Sequence, residues 1–393
     1  MTHLWKTLKA APLAGVLLLA CRSNDPEPKF AADCLVQASA TNGQPIAGAY
    51  IVTANLAGAV PSPNARVAAG QVETFLRERS VAVGPVELLT SAPQQLTFVT
   101  QLEPAEVETL RRDAAVQILE PDRVVSLCAC VDVAVPSTLS WNIQQTGYGR
   151  GDLQTSRTAW VIDTGIDLDH PDLNIDTQRS RSFLTGESAS SAEDLNGHGT
   201  HVAGIIGALN NGVGVTGVAS GARLVALKVL DQLGEGRLSG VISAVNHVRL
   251  NGRAGDVVNL SLGGEGQSTT LDRAIQQAAN VGILFAIAAG NESQSVEGQS
   301  PAGVNHPNVF TVSALNQQDQ FAPFSNYGPS VDVAAYGVRV RSTYRDGRYA
   351  TLSGTSMAAP HVAGLLYIRG NQLPTRGTAL NDPDGQADPV ARQ

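Results

Sequence analysis

Two patterns in the chain predict an α/β fold, a parallel sheet covered by helices, preceded by a small α+β module of the ferredoxin-like kind. From about Val135 onward, apolar strands alternate with helical stretches. The strands are Thr158 to Ile162, Arg223 to Val229, Val257 to Leu260, Leu284 to Ala288 and Val309 to Ser313, and helices are predicted at His201 to Ala208, Leu238 to Asn251 and Leu271 to Gly282. Ahead of that block, residues 48 to 125 read strand, helix, strand, strand, helix, strand. The 393 residues are 43% hydrophobic and 16% charged, which suits a large core and two or three domains. A formal net charge of −8 without long basic runs argues against a nucleic-acid binder held by phosphate contacts.

In chain order, Met1 to Ala20 has a short basic start (His3, Lys6, Lys9) and an apolar segment, Ala11 to Ala20, too short to span a bilayer as a helix. It reads as an export signal. Leu18-Leu19-Ala20-Cys21 resembles the lipobox of bacterial lipoproteins, which implies lipidation of Cys21 and a tether over residues 21 to 47. The other reading is ordinary signal cleavage with Cys21 incidental. Export permits a disulfide between Cys34 and either Cys128 or Cys130. Three thiols with no histidine nearby make a poor zinc set.

Within the small module, residues 48 to 128, Ala49 to Thr53 is the first strand and Ala65 to Arg79 an amphipathic helix with Val67, Val72, Phe75 and Leu76 on one face. Val86 to Thr90 and Gln95 to Gln101 are strands; Glu103 to Arg112 is a helix opened by Pro104, and Val116 to Leu119 is the last strand. Through Tyr50-Ile51-Val52 and Ile118-Leu119-Glu120-Pro121-Asp122-Arg123-Val124 the module resembles the inhibitory prodomain of subtilisin-like proteases. That resemblance implies an intramolecular inhibitor and folding aid whose last strand enters the active-site cleft, with self-cleavage within Leu127 to Pro136.

In the large block, residues 135 to 370, Asp163 follows an apolar strand and precedes Thr164-Gly165, a carboxylate on a turn at a strand's carboxyl end. His198 lies in Asn196-Gly197-His198-Gly199-Thr200-His201 at a helix start, and Ser356 lies in Ser353-Gly354-Thr355-Ser356-Met357-Ala358-Ala359-Pro360-His361. Each alone has a structural reading: a cap, a buried ring, a small-residue helix start. Together, in the order Asp163, His198, Ser356, they supply the carboxylate, base and nucleophile that acyl transfer needs. The His198 and His201 spacing would also suit a metal, but the glutamate of the hydrolytic zinc motif is not beside His198.

These motifs resemble those of the subtilisin-like (S8) serine proteases over about Val135 to Gly370. The resemblance implies a serine endopeptidase with Ser356 as nucleophile, His198 as general base and then acid, and Asp163 orienting the imidazole. It implies Asn291 as an oxyanion donor, and Ser261, Leu262, Gly263 and Gly264 with Ala289 and Gly290 as one side of the substrate site, opposite Gly234 and Gly236. Residues 291 to 301, with Glu292 and Glu297, are expected to floor a first pocket of broad apolar or aromatic preference. A structural calcium ion (Ca2+) is implied at Asp172, Leu209, Asn211, Val213 and Val215.

Polypeptides are therefore the expected substrates and a monomer the expected state, with the membrane touched only through a lipidated Cys21. Processing would leave the lipid with the inhibitor and release the protease. The rival from another class is a catalytically inactive surface-anchored binding protein retaining the fold. Arg150-Gly151-Asp152 is expected to be a turn. Residues 371 to 393, rich in Asp, Pro and Gly, are expected to form a flexible tail.

Overall fold

The structure, a computed structural model, describes residues 42–55, 65–92, 94–127, 130–133, 139–151, 156–185, 190–264 and 266–393. The export segment, Cys21, Cys34 and Cys128 lie outside these residues, and of Cys130 only the backbone is described.

The N-terminal module comprises β1 (Pro45–Asn55), α1 (Ala65–Glu78), β2 (Val86–Ala92), β3 (Gln95–Gln101), α2 (Pro104–Arg111) and β4 (Val116–Ser126). Its antiparallel sheet runs β4-β1-β3-β2. Alternate side chains of a strand face opposite ways. Val52, Ala54, Leu96 and Phe98 therefore pack under α1 and α2, while Ile51, Leu89 and Val99 point into the larger core. In α1 the buried stripe is Ala68, Val72, Phe75 and Leu76, whereas Val67 is 50% exposed; the apolar count placed it on the inner face, but it lies one position off the stripe. Pro104 opens α2, where Glu103 and Glu106 form a reciprocal capping box.

The large domain follows with β5 (Cys130–Val133), α3 (Trp141–Thr146), β6 (Gly149–Arg150), β7 (Ala159–Asp163), β8 (Arg181–Ser182), α4 (His198–Gly207), β9 (Ala219–Ser220), β10 (Leu224–Lys228), β11 (Glu235–Arg237), α5 (Leu238–Asn251) and β12 (Val257–Leu260). Beyond them come α6 (Thr269–Asn280), β13 (Leu284–Ala288), β14 (Val309–Leu315), β15 (Val333–Tyr336), β16 (Val340–Tyr344), β17 (Arg348–Ser353), α7 (Thr355–Arg369), β18 (Thr375–Thr378) and β19 (Pro389–Ala391). The main sheet is ordered β18-β19-β15-β14-β13-β12-β7-β10-β8 and is parallel from β19 to β8. Ala159 and Val161 of β7 face the core under α4 and α7; Trp160 and Ile162 face the core under α5 and α6. With both faces covered, the strands are continuous apolar runs. Strand β7 lies between β10 and β12, where successive connections leave in opposite directions, so its carboxyl end opens into a crevice.

The tail is not a flexible extension. Strand β19 pairs with β15 through Val390 and Ala334, and β18 pairs with β19. Ala379 and Val390 bury against Leu315, Phe321 and Tyr336, and Arg392 bonds Tyr336 Oη at 2.9 Å and Asp319 at 2.9 Å. A few apolar residues among many Asp, Pro and Gly suffice because the sheet edge supplies the remaining partners. The expected turn at Arg150 is β6, paired with β9; Asp152 lies outside the described residues. Among the described residues no helix is long and apolar enough to cross a membrane.

Candidate active site

Asp163 ends β7 fully buried. The main-chain N–H of Thr164 donates to its Oδ1 at 2.7 Å, and His198 Nδ1 donates to the same oxygen at 2.8 Å. A carboxylate only accepts, so Nδ1 carries the proton and Nε2 keeps its lone pair. His198 Nε2 is buried and makes no hydrogen bond. Gly199 lets helix and strand approach this closely, since a Cβ there would sit 2.1 Å from the Gly165 carbonyl oxygen and 3.1 Å from Asp163 Cβ.

Ser356 occupies the first turn of α7, 4% exposed. Its hydroxyl donates to the Ser261 carbonyl at 3.2 Å, so the nucleophile's proton is directed to that oxygen in this resting arrangement. The proline inside α7 has a use here. Pro360 has no N–H for the carbonyl four residues back, which is that of Ser356. The Ser261 hydroxyl donates to that oxygen at 2.8 Å, and Asn259 Nδ2 in turn donates to Ser261 Oγ at 2.8 Å.

Asn291 follows β13 and is held from behind: its Oδ1 accepts from Thr355 N at 2.8 Å and Thr355 Oγ1 at 3.1 Å. The amide oxygen is thereby committed to Thr355, which fixes the orientation of the side chain. Ser261, Leu262, Gly263, Gly264, Ala289, Gly290, Asn291 and Ser356 share one cleft. Glu292 also lines it, its Oε2 accepting from Asn291 N at 2.9 Å and Asn326 Nδ2 at 2.7 Å; Glu297 instead accepts from Ser330 Oγ at 2.7 Å.

The cleft is filled by the end of β4. Arg237, Gly236 and Glu235 pair antiparallel with Val124, Val125 and Ser126, Ser126 bridges to Gly263 on the other side, and Leu127 N donates to Gly234 O at 3.1 Å. Cys130 pairs with Ser353 at the end of β17. Two carboxylates of β4 anchor this arrangement. Glu120 accepts from Ser268 Oγ and Thr270 N at 3.0 Å each, at the start of α6. Asp122, fully buried, accepts from Ser239 N (3.1 Å) and Oγ (2.8 Å) at the start of α5 and from Arg237 Nη2 (2.9 Å). Both sit where exposed helix N–H groups and the helix dipole favour an anion.

The expected calcium residues also converge. Asp172 Oδ1 accepts from Asn211 Nδ2 at 3.1 Å, and Oδ2 from Val215 N at 3.0 Å and Tyr349 Oη at 3.2 Å; Leu209 N donates to the Asp172 carbonyl at 2.9 Å. Burial raises the Asp172 carboxyl above its ordinary range. A carboxylate, an amide and loop carbonyls are the hard oxygen donors that calcium takes. His201 is otherwise employed: Nε2 donates to the Val340 and Ala350 carbonyls at 3.1 Å each, and burial pushes the ring down to about 3, so it stays neutral.

Sequence reasoning missed Thr355 as the anchor of Asn291, Glu120 and Asp122 as caps, and Asp194, Thr164 and Lys228 around the Asp163 turn. Only Ser268 and Ser239, small polar residues just before or inside helix starts, offered a sequence signal.

The sequence model of the subtilase family matches residues 160–371. A thermostable alkaline protease of Halalkalibacterium halodurans is 40% identical over 283 residues, covering 70% of this chain and 72% of that protein. Subtilisin E of Bacillus subtilis is 39% identical over 277 residues, 70% of each chain. Among solved structures, that of a cold-adapted subtilisin-like serine proteinase superposes with a TM-score of 0.57 at 35% identity, over 65% of this chain and 98% of the other.

Proposed function

Because the chain belongs to the subtilase family and is a serine endopeptidase, we propose that Ser356, His198 and Asp163 form its catalytic triad and that the enzyme is made as a zymogen which cuts its own chain. The observation that carries this reading is the 2.8 Å bond from His198 Nδ1 to buried Asp163, which leaves Nε2 a buried nitrogen without a hydrogen-bond partner. For attack, the Ser356 hydroxyl turns from Ser261 O to His198 Nε2. Its Oγ adds to the scissile carbonyl as its proton moves to Nε2; the imidazolium then protonates the leaving amine, and water, deprotonated by the same nitrogen, releases the acid. Asp163 holds the tautomer and offsets the ring's positive charge. Asn291 Nδ2 and the Ser356 N–H donate to the oxyanion.

The N-terminal module acts as an intramolecular inhibitor and folding aid, a reading supported by β4 lying between Gly236 and Gly263 as an added strand. Leu127 lines the cleft together with Ser356, and Cys130 pairs with Ser353, three residues before Ser356, which favours a self-cleavage bond between Leu127 and Cys130 over the rest of Leu127 to Pro136. The same extended pairing is the mode in which a polypeptide substrate binds after the module leaves. The export signal and Cys21 support an envelope-tethered precursor whose processed protease is extracellular. Calcium would be held by Asp172, Leu209, Asn211, Val213 and Val215, where it would supply structural rigidity. Labelling with a fluorophosphonate tests the triad: a Ser356-dependent adduct, abolished in Ser356→Ala, is expected, and an adduct of equal yield in that variant would refute it.

A further inference from the structure

The turn carrying Asp163 and the helix carrying His198 are tied by one buried carboxylate. Asp194 is 2% exposed. Its Oδ1 accepts from Thr164 Oγ1 at 2.8 Å, Asn196 N at 3.0 Å and Gly197 N at 2.8 Å; its Oδ2 accepts from Thr200 N at 2.9 Å and Thr200 Oγ1 at 2.6 Å. Thr164 follows Asp163, and its Oγ1 also accepts from Gly199 N, the neighbour of His198, at 2.9 Å. Lys228, opposite Asp163 in the sheet register, closes the far side by donating from Nζ to Thr164 O at 2.5 Å.

We infer that Asp194 is a positioning residue for proton transfer, holding through Thr164 and the first turn of α4 the relative placement of Asp163 and His198. Five donors converge on one carboxylate, which no neutral side chain of that shape can satisfy: an amide turned either way would set its NH2 against two or three of them. The cluster also puts a fixed negative charge at the N-terminus of the helix whose first residue is His198, where it stabilises that terminus and favours the imidazolium formed during reaction. Burial lowers the ammonium of Lys228, while Asp194, first among four nearby carboxylates, pulls it back up, so the two charges support each other in a desolvated place.

This inference rests on the proposed triad, and its tests separate the two. The variants are Asp194→Asn and Thr164→Val, with Thr164→Ser as the conservative rescue, each assayed as processed enzyme on a fluorogenic peptide across pH. A displacement of about 1 Å near the reacting groups costs roughly 10²-fold. The expected result is a loss of about that size in kcat for both variants, with KM within threefold. In Asp194→Asn, which removes the charge, the acid limb of kcat/KM should also move to lower pH, and Thr164→Ser should restore the kcat that Thr164→Val loses. Unchanged kcat and an unmoved acid limb with only a lower melting temperature would overturn it. If Asp194→Asn does not fold, Thr164→Val decides, because it deletes one methyl-sized hydroxyl and keeps the carboxylate with its four other donors. Were the triad itself wrong, Ser356→Ala would stay active; were only this inference wrong, Ser356→Ala would be dead and Thr164→Val fully active.

Discussion

Replacing Asp122 by alanine removes the most heavily engaged group at the junction between the N-terminal module and the large domain. The carboxylate is 0% exposed and accepts from Ser239 N, Ser239 Oγ, and Arg237 Nε and Nη2, at 2.8 to 3.1 Å. Truncating one partner of a buried charge pair costs about 2–5 kcal/mol. The Arg237 side chain is 35% exposed and can rehydrate, which favours the lower end, roughly 2–3 kcal/mol. That corresponds to about 30- to 150-fold weaker retention of the cut module. The assay dilutes freshly processed, still-associated protein and reads the concentration at which half of the peptidase activity appears. In Asp122→Ala that concentration should rise by the stated factor, with kcat of the freed enzyme unchanged. A shift below threefold would refute the reasoning, since it would mean that the helix start and Arg237 gain nothing from the carboxylate.

Asn291→Ala should lower kcat by about 10²- to 10³-fold with little change in KM, measured by steady-state kinetics; an equal loss in KM would indicate ground-state binding instead. Asp388 is 7% exposed and accepts from Ser313 Oγ at 2.6 Å; burial pushes its carboxyl up to about 7, the Ser313 bond opposing and Asp382, Asp384 and Asp332 adding to it. A carboxyl raised above its unfolded value near 4 favours the fold fully below that pH, and the benefit is lost as pH rises through 7, up to about 4 kcal/mol in all. Thermal melts should therefore fall from about pH 4 to about pH 7 more steeply in the parent chain than in Asp388→Asn; parallel slopes would contradict this. Chelation with EDTA should lower the melting temperature by about 5–10 °C if the Asp172 loop binds calcium at a hundredfold excess over Kd, an effect that Asp172→Asn should abolish and that would be absent if the loop's internal hydrogen bonds suffice.

The parallel sheet and its helices were legible because buried parallel strands are uninterrupted apolar runs with polar residues at their carboxyl ends, and Asp163 and Asn291 sit at such ends. His198, Ser356 and Asp163 could be picked out because their flanking glycines and small residues are needed for close approach, as Gly199 against Gly165 illustrates. What stayed hidden depends on long-range partners. Nothing local distinguishes Asp194 from a loop aspartate, since two of its five donors belong to Thr200 and one to Thr164. The docking of residues 371–393 depends on the free edge of β15, and composition is blind to an edge. The β16–β17 hairpin, which supplies the carbonyls that hold His201, was overlooked because it pairs with β5 outside the main sheet. Pro360 reads as a helix breaker until Ser261 is known to take the freed carbonyl.

Mass spectrometry with N-terminal sequencing of the purified wild-type chain beside Ser356→Ala tests the central claim most directly, because self-cutting requires the nucleophile, the base and the seated strand at once. The wild type should yield a new N-terminus at residue 128, 129 or 130, with the N-terminal module recovered as a separate species, and Ser356→Ala should remain one intact chain. Cleavage of Ser356→Ala at the same bond and rate, or a wild-type chain that is active yet never cut there, would contradict it.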